Sequence, residues 1–264
     1  MNSVSPGDIL WPHLSELPAF RALIRSIEAR LLSEQGEPAR PLLDMGCGDG
    51  HFAQVTLGRA DAGIDLDLSS LRQAQRRGVY GGLGAASAAR LPFAGGQFAT
   101  VLANCAIEHM PELDAVLGEV RRVLRPGGRF IFSVPTDRLN DNLLVAGVLE
   151  RAGLAAAAAR YREWFQRMQV HYHMYSPDEW QRRVEAAGFC VAFRREYLSA
   201  QATHLLELGH YYGVPNLISR RLFGRWVVWP WRPRFAIEEK VLGPRVMEDG
   251  LPGSSCCFFV AVKT

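Results

Sequence analysis

The apolar positions fall into two rhythms. One recurs every three or four residues and marks helices; the other fills short unbroken runs between glycines or prolines and marks buried strands. Leu17, Phe20, Ile24, Ile27 and Leu31 keep the helical rhythm from near Pro18, with Arg21, Arg25 and Glu28 between them, and Gly36 and Pro38 end it. An apolar run at 41–45 predicts a strand, followed by a glycine cluster and a short helix from about His51. Next come a strand at 62–65, a helix at 69–77 and a strand at about 82–86. After the turn at Gly95-Gly96 a strand spans 98–104. Leu113, Val116, Leu117, Val120, Val123 and Leu124 then share one helix face, Pro126-Gly127-Gly128 stops that helix, and 129–134 reads as a strand. Strand alternating with helix predicts a parallel sheet, covered on both faces and joined by right-handed crossovers.

The second half is less regular. Residues 139–169 read as helix, broken near Gly153, with an alanine run at 155–159. Ser176-Pro177-Asp178-Glu179 is a helix start: a capping serine, proline in the first turn, and glutamate three residues after the cap. That helix runs to Gly188, and 189–197 reads as a strand. The stretch 199–253 is far longer than a usual connection, and 256–262 is a last apolar strand.

Composition narrows the class. Of 264 residues 48% are hydrophobic and 22% charged, an ordinary globular mixture that excludes a disordered chain. No run approaches the roughly 18 apolar residues of a membrane span. Residues 1–10 are polar, without the basic flank and apolar segment of a secretory signal. A net charge of +3 gives little support to nucleic acid as a partner. Cys47, Cys105, Cys190, Cys256 and Cys257 form no CxxC pair, so reduced thiols and a cytoplasmic location are expected.

The most informative segment is Leu42-Leu43-Asp44-Met45-Gly46-Cys47-Gly48-Asp49-Gly50. A buried strand enters Gly-x-Gly-x-Gly and then a helix; glycine lets the backbone turn tightly and lets a ligand approach without meeting a Cβ. A second acid, Asp65, closes the next strand, where a carboxylate can accept both hydroxyls of a ribose. A dinucleotide site wants G-x-G-x-x-G, and here position 51 is His. Asp44, beside the loop, repels a pyrophosphate and attracts an ammonium or sulfonium. The charge logic favours S-adenosylmethionine over NAD.

This segment resembles the first motif of class I S-adenosylmethionine-dependent methyltransferases. Gly63-Ile64-Asp65 resembles the ribose-binding strand end. Arg90-Leu91-Pro92-Phe93 with Gln97-Phe98-Ala99-Thr100-Val101, and Glu108-His109 with Arg125-Pro126-Gly127-Gly128, follow in the family's order. The resemblance covers about 40–135, the helix and strand at 176–197, and the last strand, and it is nearest the small-molecule branch that includes quinone-type acceptors. It implies a Rossmann-like α/β fold with a seven-stranded, mostly parallel sheet whose last strand is antiparallel. It places a cofactor-binding core at 1–135, 176–198 and 254–264, and an acceptor-side helical cap at 136–175 and 199–253. Asp44 is then expected to hold the methionine amine, Gly46, Gly48 and Gly50 to pass beneath methionine and ribose, Asp65 to bind the ribose, and Leu66 to pack on adenine. Met45, Cys47, Ala88 and Asn104 complete the expected cofactor set. The family's adenine-contacting acid is replaced by Ser87, a neutral bond whose loss costs about 1 kcal/mol.

Methyl transfer relies on positioning, with a base needed only where the acceptor must lose a proton. The candidate catalytic residues are His109, His171 and His173; the alternative for each is loop packing. His171-x-His173 alone is a poor metal signal, so no metal is expected. The stretch from Arg220 to Arg234 interleaves arginine with Trp226, Trp229 and Trp231. It suits a peripheral membrane contact, a stacking surface for an acceptor or single-stranded nucleic acid, or a cap core or homodimer contact built on its tryptophans. The last reading is favoured, because Pro230 and Pro233 break an amphipathic helix. The resulting expectation is an S-adenosylmethionine-dependent methyltransferase acting on a small lipid-like, quinone-like or glycosylated acceptor. The alternatives are an RNA or protein methyltransferase, against which Asn104 is followed by Cys105-Ala106-Ile107 in place of Pro-Pro-Tyr, and a non-catalytic binding protein of the same fold.

Overall fold

The computed structural model describes residues 5–248 and 250–264. Residues 1–4 of the expected core and Asp249 of the expected second insertion lie outside the described residues.

In chain order the first elements are α1 (Pro6–Leu14), α2 (Ala19–Glu34), β1 (Leu42–Met45), a π-type turn at Ala53–Leu57, β2 (Ala62–Asp65), α3 (Leu68–Arg77) and β3 (Leu83–Ala85). Then come β4 (Phe98–Asn104), a 3-10 turn at Ile107–His109, α4 (Leu113–Val123), β5 (Leu124–Pro135), α5 (Arg138–Asp141), α6 (Leu144–Arg151) and α7 (Ala155–Gln169). The last are α8 (Pro177–Ala186), β6 (Phe189–Tyr197), α9 (Ala200–Tyr212), α10 (Val214–Phe223), α11 (Ala236–Val246) and β7 (Cys256–Lys263).

The seven strands form one sheet in the order β3-β2-β1-β4-β5-β7-β6. β1 pairs in parallel with β2 and β4, β2 with β3, and β4 with β5, whereas β7 runs antiparallel to β5. This is the expected class I topology. Its reversal of strand order at β1 and β4 opens the crevice where open α/β sheets bind ligands.

Two compact units compose the chain. The sheet unit comprises Gln35–Asp137, Arg167–Glu196 and Cys256–Thr264. Its central strands are buried on both faces: all four β1 residues are buried, and Phe130, Phe132, Phe259 and Trp180 are at most 1% exposed. The rings of Phe132 and Phe259, paired across β5 and β7, stack at 4.8 Å. Local signals start the helices. Asp67 caps α3 by accepting from the Ser69 and Ser70 amides, and Ser176 caps α8 by accepting from Glu179.

Among the described residues, the helical unit comprises 5–34, Arg138–Gln166 and the stretch Tyr197–Ser255. Residues 5–34, placed with the core by sequence, therefore join the two insertions, and the end of the first insertion joins the sheet unit. On α2 the expected polar positions are not a solvent face: Glu28 is fully buried, ion-paired to Arg25 at 2.7 Å and accepting the Tyr197 hydroxyl at 2.8 Å. Arg30, also buried, donates to the carbonyls of Val246 and Glu248. The long 199–253 segment holds α9, α10 and α11. The tryptophan core expected for it is not found. Trp229 is 71% and Trp231 60% exposed, and Trp226 is partly buried with the Arg21 and Arg220 guanidiniums over its ring.

Candidate functional site

At the end of β1 the Gly46 and Cys47 amides both donate to the Ile64 carbonyl of β2, at 2.9 and 3.0 Å. The glycine loop is thereby pinned between two strand ends. Gly46, Gly48 and Gly50 all take positive φ (77°, 54° and 75°), where a side chain is strained. Their surroundings differ. A Cβ on Gly48 meets nothing within 4 Å, leaving room for a ligand; one on Gly46 comes within 2.7 Å of the Ala106 Cβ. A Cβ on Gly50 meets the Tyr80 ring at 3.0 Å and Ala74 at 3.2 Å. Gly50 therefore serves close packing of the loop on the protein; the expectation that it lies beneath a ligand is corrected.

Asp65 holds the loop from the other side. One carboxylate oxygen accepts the Gly48 amide and the other the Asp67 amide, each at 2.8 Å. Asp44 is 4% exposed and accepts the Tyr80 hydroxyl at 2.7 Å. Burial, together with the Asp44 carboxylate, pushes the Tyr80 phenol far up, so it stays a proton donor. Burial, then Asp44 and Asp65, likewise push the Cys47 thiol up and keep it unreactive. Tyr80 went unread in the sequence. No local spacing announces it; in the structure its ring fills the narrow space beside Gly50 and Gly63.

A cavity of about 500 Å³ opens outside the carboxyl ends of β1, β2, β3 and β4, within the range of small-molecule sites. Of the expected cofactor residues, Gly46, Asp65, Leu66, Ser87 and Ala88 line it, joined by Ile64, Cys105, Ala106, His109 and Glu112. Ser87 is exposed, and its hydroxyl oxygen accepts the Ala89 amide at 3.2 Å. Gly48 lies beside open space outside this lining, and the remaining expected residues stand behind the wall. Met45 is core, Cys47 is buried, Asp44 faces Tyr80, and Asn104 accepts the Ser133 hydroxyl at 2.8 Å in place of facing the cavity.

The three histidines separate. His109 lines the cavity. His173 does not, and both its nitrogens are engaged, Nδ1 with the Tyr175 hydroxyl at 3.0 Å and Nε2 with the Met110 carbonyl at 2.9 Å. It fastens the loop and stands outside the cavity lining. His171 stacks obliquely on His109, with ring centroids 5.0 Å apart, and burial followed by His109 pushes it down to about 4. Neither it nor Glu108 lines the cavity.

Residues 43–132 match the family described as methyltransferase domain. The chain is 34% identical over 122 residues to a malonyl-[acyl-carrier protein] O-methyltransferase of Methylococcus capsulatus, covering 42% of this chain and 44% of that one. It is 27% identical over 190 residues to a ubiquinone biosynthesis O-methyltransferase of Chelativorans sp., covering 67% of this chain and 71% of that one. A solved SAM-dependent methyltransferase from Thermotoga maritima shares the fold, with TM-score 0.57 and 17% identity over 93% of this chain and 91% of that one. The chain spans less than half the length of the first curated relatives it matches.

Proposed function

From the premise that residues 43–132 are a methyltransferase domain on the class I fold, we propose that the chain moves a methyl group from S-adenosylmethionine to a small-molecule acceptor. The cavity lining carries this reading: it holds the carboxylates of Asp65 and Glu112 and, among the described residues, no lysine or arginine. Such a wall disfavours a pyrophosphate and suits a cationic sulfonium. Asp65 is the acid for a ribose, Ile64, Leu66 and Ala88 give apolar walls for a purine, and open space at Gly48 admits a ligand against the backbone. When bound, the sulfonium supplies an already activated methyl group. The protein's part is then alignment and exclusion of water, with His109 the expected histidine that reaches the cavity. Calorimetry with S-adenosylhomocysteine and NADH tests this: micromolar affinity for the first and weak binding of the second are expected. Equal or tighter NADH binding overturns the reading.

No helix among the described residues is long and apolar enough to cross a membrane. A cytoplasmic location is part of the same proposal, supported by five cysteines that form no disulfide. So is a peripheral contact with an anionic membrane. Leu217, Ile218, Leu222 and Phe223 of α10 and the nearby Trp229 and Trp231 are all more than half exposed, interleaved with Arg220, Arg221, Arg225, Arg232 and Arg234. The chain should sediment with phosphatidylcholine vesicles only when they contain phosphatidylglycerol. Salt and the paired Trp229→Ala, Trp231→Ala variant should each weaken that binding several-fold. Indifference to the vesicles, with concentration-dependent dimerisation lost in the same variant, assigns the patch to a homodimer instead.

A further inference from the structure

Glu108 and His109 lie in the 3-10 turn after β4, and His171 follows α7. Each offers one ligand atom, and the three atoms lie within 4.8 Å of one another, the one such group among the described residues. The sequence pattern did not reveal it. His171-x-His173 alone was a poor metal signal, and Glu108 and His109 sit more than sixty residues earlier in the chain.

The backbone brings the two segments together. The Tyr172 and His173 amides both donate to the Glu108 carbonyl, at 2.9 and 3.3 Å. Val170, exposed and β-branched, sits at φ 55°, a conformation such a residue keeps only where its surroundings hold it. In that conformation its carbonyl lies 3.1 Å from His109 Nδ1. A proton on Nδ1 donates to that carbonyl, which leaves the lone pair on Nε2, 3.8 Å from Glu108 Oε1. A backbone carbonyl on the far nitrogen is the usual outer support of a metal-ligating histidine. His171 Nδ1 is buried without a hydrogen-bond partner. The gap between His109 and Glu108 is longer than a hydrogen bond, as if the groups surround a shared space.

We propose that Glu108, His109 and His171 bind a divalent transition-metal ion, Zn²⁺ being the best match, at the wall of the cavity. Two imidazoles and one carboxylate with an open position are the donor set of catalytic zinc centres. Ligand atoms around tetrahedral zinc lie about 3.3 Å apart, so closure takes side-chain shifts on the order of 1 Å. The site stands on geometry alone; its role rests on the methyl-transfer reading. There, the ion held by Glu108, His109 and His171 would lower the pKa of an acceptor hydroxyl at the open position, so that its proton would pass to solvent water and its oxygen would be the nucleophile for the methyl group. The C–S bond breaks as the O–C bond forms, and the thioether leaves with the electron pair.

The test uses untagged, chelator-stripped protein. Titration with Co²⁺, followed by its visible absorption, and with Zn²⁺ by calorimetry should show one ion per chain at micromolar affinity or better. His171→Ala and the near-isosteric Glu108→Gln should each weaken uptake at least tenfold while circular dichroism stays unchanged. No stoichiometric uptake, or full uptake by folded His171→Ala, overturns the site. S-adenosylhomocysteine binding is measured on the same samples. Adenosyl binding without metal uptake overturns the metal site and leaves the proposed function standing. Metal uptake without adenosyl binding upholds the site and overturns its role in methyl transfer.

Discussion

Asp65→Ala should raise the dissociation constant for S-adenosylhomocysteine by about 10²–10³-fold. The estimate follows from two charge-assisted hydrogen bonds to a ribose diol, at roughly 1.5–3 kcal/mol each, with every 1.4 kcal/mol worth a factor of ten. A further loss comes from the protein side. The same carboxylate accepts the Gly48 and Asp67 amides, so alanine frees both the glycine loop and the turn into α3. Asp65→Asn is the informative companion. Its amide has one acceptor end for two backbone donors, so one of them faces an NH₂ group. It should weaken binding by about tenfold, less than alanine does. Calorimetry on both variants, with folding checked by circular dichroism, measures the series. An alanine variant binding within threefold of the parent would sink the assignment of Asp65 to the ribose.

Asp65 was legible because sequence and topology agree there: a strand ending in an acid, one strand over from a glycine loop. β2 and β4 begin and end where the apolar runs do, since a strand buried on both faces leaves an unbroken apolar signature, whereas the edge strand β6 keeps its expected bounds with most of its residues partly or fully exposed. Gly46 after β1, Leu66 after β2, and Ser87 and Ala88 just beyond β3 line the cavity because they stand at the carboxyl ends of parallel strands. Side-chain direction was not legible. Asp44 and Asn104 stand at the right strand ends, yet they face Tyr80 and Ser133, partners that no local spacing announces. His171 met Glu108 and His109 only through backbone bonds spanning more than sixty residues.

The helical unit was hard to read for a different reason: its buried positions are partly polar. Helix α1 carries a start signal, Ser5 capping the Asp8 amide with Pro6 in the first turn, and α9 carries another in Ser199. Neither is followed by a clean apolar stripe. On α2 Glu28 and Arg30 are buried, and on α9 Thr203 and Glu207 are fully buried. A periodicity argument counts such residues as solvent-facing. Here each is paired with a group distant in sequence, and the pairing is what allows its burial.

Glu207 is the sharpest instance, and its removal should destabilise the helical unit by about 3–5 kcal/mol. Helix α6 begins at Leu144 with Leu143 in the capping position, which has no side-chain acceptor to offer. The Glu207 carboxylate supplies it from α9, accepting the Leu144 amide at 2.5 Å and the Val145 amide at 3.2 Å. A negative charge at a helix N-terminus is also favourable to the helix dipole. The Tyr161 hydroxyl donates to the same carboxylate at 2.5 Å, and burial together with this bond pushes the phenol well above its ordinary range. Glu207→Ala leaves those donors without their acceptor, each costing roughly 1–3 kcal/mol if water cannot reach it. Glu207→Gln keeps one acceptor oxygen and should lose less, whereas Tyr161→Phe removes a single donor and should cost about 1 kcal/mol. Urea denaturation of the three variants, followed by tryptophan fluorescence and circular dichroism together, measures the order. A Glu207→Ala loss below 1 kcal/mol would mean that water replaces the carboxylate at the start of α6. Burial at that position would then reflect packing of the glutamate stem, and α6 would need another source for its first turn.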